Sequence, residues 1–97
     1  MTPYLLKLYV SGTNLRTRRI ADALIRQLEE RFAGLYELVV LDVLEQPKVA
    51  LTESVLATPL LVKERPPPVR RIVGDLTDWN RVLTELGMIG SPPGSTS

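Results

Sequence analysis

Apolar residues fill Tyr4–Val10 (YLLKLYV) except at Lys7, the pattern of a strand covered on both faces. Ser11-Gly12-Thr13-Asn14 breaks the run with turn formers and offers a helix cap at Thr13 or Asn14. Leu15, Ile20, Leu24, Leu28 and Phe32 follow near helical spacing, Ile25 widens the stripe, and Gly34 suits the position after the C-cap. Leu35 to Leu44 (LYELVVLDVL) is rich in branched apolar residues and predicts a second strand. Strand, helix and strand with short connections predict a right-handed crossover between parallel strands.

The second half alternates less cleanly. Glu45-Gln46-Pro47 predicts a turn, with Pro47 in the first turn of a short helix reaching about Leu56. Val49, Ala50, Val55 and Leu56 give that helix a weak apolar face. Leu60 to Lys63 predicts a third strand, Pro66-Pro67-Pro68 a rigid connection, and Val69 to Val73 a partner strand. Gly74-Asp75 turns the chain, Thr77 caps a last helix with Leu76 as a staple residue, and Val82, Leu83 and Leu86 form its apolar face up to Gly87. The resulting order, βαβαββα, predicts an α/β fold of thioredoxin-like type, with a mixed sheet and helices on both faces. One domain over residues 1–88 and a flexible Pro/Gly/Ser-rich tail over 89–97 complete the expectation. A second reading competes in the same half. Val69, Ile72, Val73 and Leu76 also fit the i, i+3, i+4, i+7 stripe of a helix started by the prolines.

Composition narrows the chemistry mainly by what it lacks. The chain has no Cys and no His, which removes thiol redox chemistry, the usual zinc sets and a His general base. A net charge of +1 gives no global argument for nucleic acid or a membrane surface. No apolar stretch is long enough for a bilayer, and Lys7 interrupts anything like a signal peptide, so a cytoplasmic protein without disulfides is expected. Thr58-Pro59 stands where thioredoxin-like folds place a cis proline, although a trans proline punctuating a loop fits equally. The isomers of Pro66, Pro67 and Pro68 are open as well. The head of the first helix carries Thr13-Asn14-Leu15-Arg16 where a redox member needs Cys. Arg16, Arg18 and Arg19 crowd that end against the helix dipole, and Lys63, Arg65, Arg70 and Arg71 flank the prolines. Together they suggest one cationic surface for an acidic protein groove, while a solvated helix face remains the bland reading of the helix arginines. Asp42 is placed to cap or to pair with an arginine, and no carboxylate pair has the context of an acid/base site.

Several blocks resemble a known family: YLLKLYVSG, Asp42-Val43-Leu44, Leu56-Ala57-Thr58-Pro59 and above all Pro68-Val69-Arg70-Arg71-Ile72-Val73-Gly74-Asp75-Leu76. The chain is similar to KaiB, the small protein of the cyanobacterial circadian clock, from Tyr4 to about Met88. The resemblance implies a non-enzymatic protein, without cofactor or metal, that docks on the ring-shaped ATPase KaiC, captures KaiA and displaces a KaiB-like sensor domain of a histidine kinase. It also implies a metamorphic chain: a thioredoxin-like monomer that binds the ring, and a βαββααβ form that assembles as a tetramer. By position, Arg19, Lys63, Arg70 and Arg71 match basic residues of the family and are expected ring contacts. Thr58, Pro59, Pro66, Pro67, Pro68, Gly74 and Asp75 are the expected structural and switch positions. The family has Val-Leu-x-Gly-Leu-Asp near the end of its last element, whereas this chain has Val82-Leu83-Thr84-Glu85-Leu86-Gly87, and its final residues are not the acidic run of clock members. Glu85 in place of Gly favours a helix by somewhat under about 1 kcal/mol, and Gly87 supplies its stop. The βαββααβ form wants a final strand beyond it, for which Gly90 to Ser97 is a poor sequence, and both changes weigh toward the thioredoxin-like form. Two other readings stay open: a glutathione-binding enzyme domain, with Ser11 the nearest hydroxyl to a nucleophile position, and a sensor domain detached from its kinase.

Overall fold

In the computed structural model, which describes residues 3–89, four strands and three helices alternate as β1 (Tyr4–Val10), α1 (Leu15–Phe32), β2 (Tyr36–Asp42), α2 (Pro47–Thr52), β3 (Leu60–Arg65), β4 (Arg70–Val73) and α3 (Trp79–Glu85). The expected flexible tail lies outside these residues beyond Ile89. The sheet order is β2-β1-β3-β4, with β1 and β2 parallel and the other two pairings antiparallel. This is the thioredoxin-like α/β arrangement, and the contested segment is strand over Arg70–Val73, one residue shorter than the expected Val69 to Val73.

Strand alternation divides the core in two. Leu6, Leu8 and Val10 of β1, with Leu61 and Ile72, face Leu24 and Leu28 of α1 and Val82, Leu83 and Leu86 of α3. Tyr9, Leu60 and Val62 point the other way, under Val49, Val55 and the partly buried Leu41 and Val43. Each fully buried apolar side chain stabilises by roughly 1.5–3 kcal/mol. The α1/α3 face, with most of these residues, therefore supplies most of the stability. Helix α2 buries none of its residues and covers its face lightly.

Helix ends follow their local chemistry. Asn14 caps α1 reciprocally with Thr17: its Oδ1 accepts from the Thr17 N–H and its own N–H donates to Thr17 Oγ1, both at 3.0 Å. Helix α2 ends at Thr52, four residues short of the expected limit, because Ser54 turns into the left-handed region (φ 56°). The Ser54 and Val55 N–H groups then close on the Leu51 and Ala50 carbonyls, a Schellman closure that lifts Leu56 off the helix. Helix α3 closes the same way at Gly87 (φ 76°), and Met88, buried, packs into the cluster of Leu83. Its cap is Asp78, whose carboxylate accepts from Arg81 N–H, and not the expected Thr77. Thr77 is engaged instead by Asp75, to which it donates from its N–H (3.0 Å) and its hydroxyl (2.6 Å).

Candidate functional site

Two surfaces, one at the C-terminal end of β1 and one on the α2 side of the sheet, gather part of the residues singled out in the sequence. The first is a groove of about 490 Å³ where the start of α1 meets the Thr58-Pro59 step and the turn after β4. Asp42 sets its position: one carboxylate oxygen accepts from Gly12 N–H and Leu44 N–H, both at 2.9 Å, tying the end of β2 to the turn that launches α1. On the other wall, Gly74 N–H donates to the Pro59 carbonyl at 3.1 Å. The Thr58-Pro59 bond is cis, as are Arg65-Pro66 and Pro67-Pro68.

Leu15, Ile20, Pro59 and Leu76 make the floor apolar, while Arg16 and Arg19 stand along its side. Leu15 was expected on the buried stripe but is 62% exposed. It precedes the buried Leu24 by nine residues, about 180° round a helix of 3.6 residues per turn, and so points away from the core and lines the groove. Asp75 is the groove's carboxylate; the hydroxyl and N–H bonds from Thr77 hold it below the usual aspartate range. At a position where thioredoxin chemistry needs a thiol, Asn14 caps α1 and Ser11 shares its hydroxyl with Thr58 Oγ1 at 2.7 Å.

The second surface lies over α2 and the outer side of β3 and β4. Leu56, 95% exposed, borders a shallow hollow with Ala57, Arg71 and Val73, and Leu51 of α2 is 83% exposed. Arg71 is oriented by structure: its guanidinium donates to the Glu53 and Ser54 carbonyls, each at 3.0 Å, satisfying the end of α2. Leu56 was missed as a site residue because it was read as part of the weak apolar face of a longer helix, and Leu51 was not singled out.

The expected single cationic surface does not form. Neighbouring residues on a strand point to opposite faces, so Arg71 pairs beside Val62 on the α2 side and Arg70 beside Lys63 on the other. Lys63, expected as a ring contact, is 3% exposed. Its ammonium is consumed by the carbonyls of Pro66 and, at 2.9 Å, Pro68, and burial first, then Arg70, pulls its pKa down. Pro66–Pro68 and Lys63 thus form a closed unit at the far end of the sheet from the groove. The structure brings together Arg19, Thr58, Pro59, Gly74 and Asp75, and leaves Lys63, Arg70 and Arg71 elsewhere. Glu85 and Gly87 sit at the end of α3, where Glu85 pairs with Arg81 at 3.1 Å.

Among the described residues no cluster of His, Cys, Asp or Glu can hold a metal, and no helix is long and apolar enough to cross a membrane. The fold is similar to the N-terminal domain of Synechococcus elongatus SasA, with a TM-score of 0.75 at 28% identity over 95% of this chain and 90% of that one. Mitochondrial thioredoxin 3 of Saccharomyces cerevisiae shares the fold at a TM-score of 0.66 and 18% identity, covering 89% of this chain and 81% of its own. By sequence, the chain is 49% identical to the circadian clock oscillator protein KaiB of Prochlorococcus marinus strain MIT 9312, across 89% of this chain and 82% of that protein. It is 50% identical to the protein of the same name from Synechococcus sp. strain RCC307, over 89% and 78%. The KaiB domain model matches residues 7–88, from within β1 through the closure of α3, so the chain belongs to the KaiB family.

Proposed function

We propose that the protein is a non-enzymatic clock-type adaptor that docks on a KaiC-type ring ATPase through the surface over α2 and β4. The observation that carries this reading is the pair of large apolar side chains left bare around one hollow there, Leu56 and Val73, with Ala57 and Arg71 beside them. Scattered single apolar residues need no partner, but a contiguous set beside an oriented arginine is the composition of an interface centre. Arg70, exposed on the other side of β4, is a rim contact in this reading, and Lys63 is not a contact. Competition with a kinase sensor domain for the ring, and capture of a KaiA-type partner once bound, belong to the same proposal. So does a second, tetrameric conformation of the C-terminal half, with the thioredoxin-like monomer as the ring-binding form.

Leu56 touches little, so Leu56→Glu changes the surface without disturbing the fold. Size-exclusion chromatography with KaiC-type ATPases and ATP is expected to show a complex for the wild type and none for Leu56→Glu. Absence of a wild-type complex with any of them, or an unaffected variant, overturns the reading. A detached sensor domain is the second reading, favoured by the likeness to the SasA N-terminal domain. It predicts ring binding without any tetramer under any condition, which light scattering distinguishes.

A further inference from the structure

Helix α2 is attached to the sheet at two points of different kind. Its start is fixed: the Glu45 and Gln46 N–H groups donate to the Asp42 carbonyl at 3.1 and 3.0 Å, joining the end of β2 to the helix. Its end is latched by Arg71, whose Nη1 and Nη2 donate to the Glu53 and Ser54 carbonyls, each at 3.0 Å. Two carbonyl oxygens side by side on a guanidinium fork stand where the two oxygens of a carboxylate would. They are neutral acceptors and Arg71 is exposed, so an ionised carboxylate, whose hydrogen bonds are about twice as strong, can displace them. The helix has little else to hold it: it buries none of its residues, and Ser54 closes it in the left-handed region. Beneath it, Tyr9 is 1% exposed, and its hydroxyl has no hydrogen-bond partner among the described residues. Burial raises the phenol's pKa first, and Lys7, Glu53, Glu64 and Arg71 act on it through space, so it lies among the end of α2 and its latch. Tyr9 pairs with Leu60, which lines the hollow of about 190 Å³ bordered by Leu56, Ala57, Val73 and Arg71.

We infer that α2 is a lid over a binding site for a small amphipathic monocarboxylate, which takes Arg71 from the Glu53 and Ser54 carbonyls and accepts from the Tyr9 hydroxyl while its chain fills the hollow of Leu56, Leu60 and Val73. One carboxylate thus satisfies both the guanidinium fork and the buried hydroxyl that lacks a partner. Glu53 would repel such a ligand, but it stands at the released end of the helix and moves with it. Glu64, the other carboxylate near the phenol, is engaged by Lys7 at 3.6 Å. Arg71 is the one cation lining the hollow and the rest of the lining is apolar, which selects a single charge with a chain over a polyanion such as a nucleotide. The site needs no ring ATPase, so it stands apart from the ring-docking reading.

The test titrates the full chain, labelled with ¹⁵N, with octanoate. Controls are 1-octanol, which has the chain without the charge, and acetate, which has the charge without the chain. At about 1 mM, where weak binding is still measurable, octanoate is expected to shift the amides of Tyr9, Glu53–Val55, Leu60 and Arg71. Both controls are expected to bind at least about tenfold more weakly. Arg71→Met is expected to lose octanoate at least about tenfold, with unshifted amides at Leu24, Leu28 and Leu83 reporting that its core is intact. Tyr9→Phe, which keeps its packing, is expected to bind roughly fivefold more weakly. The inference is overturned if octanoate leaves these amides unmoved, if 1-octanol or acetate binds as well, or if Arg71→Met binds like wild type. Wild-type affinity in Tyr9→Phe would put the ligand outside a closed helix and overturn the lid. No ring ATPase is present, so each of these results leaves the docking reading to its own test.

Discussion

Lys63→Met removes the ammonium that fixes the triple-proline connection while keeping a side chain of similar reach. The Pro66 and Pro68 carbonyls lose their donor. Each hydrogen bond to a charged group contributes about 1.5–3 kcal/mol, but burying the ammonium costs several kcal/mol, which the substitution relieves. Pro68 is exposed and its carbonyl can rehydrate. A net loss of about 1–2 kcal/mol is expected, or roughly 4–8 °C in Tm for each kcal/mol in a domain of this size. Lys63→Ala also strips the buried stem, at about 0.8 kcal/mol for each methylene, and should cost about 2 kcal/mol more. Urea denaturation of both variants measures this, with hydrogen exchange at Val69 and Arg70 reporting the connection itself. The pH dependence supplies an independent arm. Burial lowers the folded pKa of Lys63 below 10.5. Between that lowered value and 10.5 the unfolded chain holds a proton the folded chain has lost, so this group makes stability rise with pH across that window. Tyr9, whose phenol burial pushes up, acts oppositely at higher pH, since the unfolded chain loses that proton first, but it is common to wild type and variant. Wild type should therefore gain stability relative to Lys63→Met as pH climbs from neutral toward 10.5. An unchanged or stabilised Lys63→Met, or a pH-independent difference, refutes the reasoning.

Three further outcomes follow from single contacts. Tyr9 is buried with its hydroxyl unpaired among the described residues, so Tyr9→Phe should be neutral or stabilising by about 1 kcal/mol in chemical denaturation; a loss of that size would show that the hydroxyl has a partner. Gly87→Ala meets no atom within 4 Å of the added Cβ, so its cost is the left-handed backbone alone, about 1–2 kcal/mol by thermal melting; no loss would mean that the closure of α3 relaxes freely. Arg71→Met removes both donors from the end of α2, and faster amide exchange at Ser54 and Val55 with little change in the global melt is expected; equal exchange would deny the guanidinium its orienting role.

Most of the fold was legible because periodicity is a local property. The continuous apolar run of β1, the branched residues of β2, the stripe of α1 and the stop at Gly87 each predict their element without tertiary help. The end of α2 and the start of α3 were not legible, because Ser54 enters a left-handed conformation rare for a residue with a Cβ, and because Asp75 draws Thr77 away from the cap. The site was half legible. Pro59, Gly74 and Asp75 stand out as turn and loop chemistry, whereas Leu15 and Leu56 look like ordinary apolar residues until the helix phase and the early end of α2 expose them.

The sequence by itself determined the family, the absence of thiol and imidazole chemistry, and the order of elements up to one contested half. Tertiary structure decided that contested half. Val69 to Val73 satisfies the period of a helix and of a strand equally. Only pairing of Arg70–Val73 with Leu60–Lys63, which buries Ile72 against the α1/α3 core, selects between them. The same pairing sorted the basic residues. A strand sends neighbours to opposite faces, so Arg70 and Arg71 part, and Lys63 turns inward onto the proline carbonyls. A string of charges along the sequence carries no information about which of them water will see.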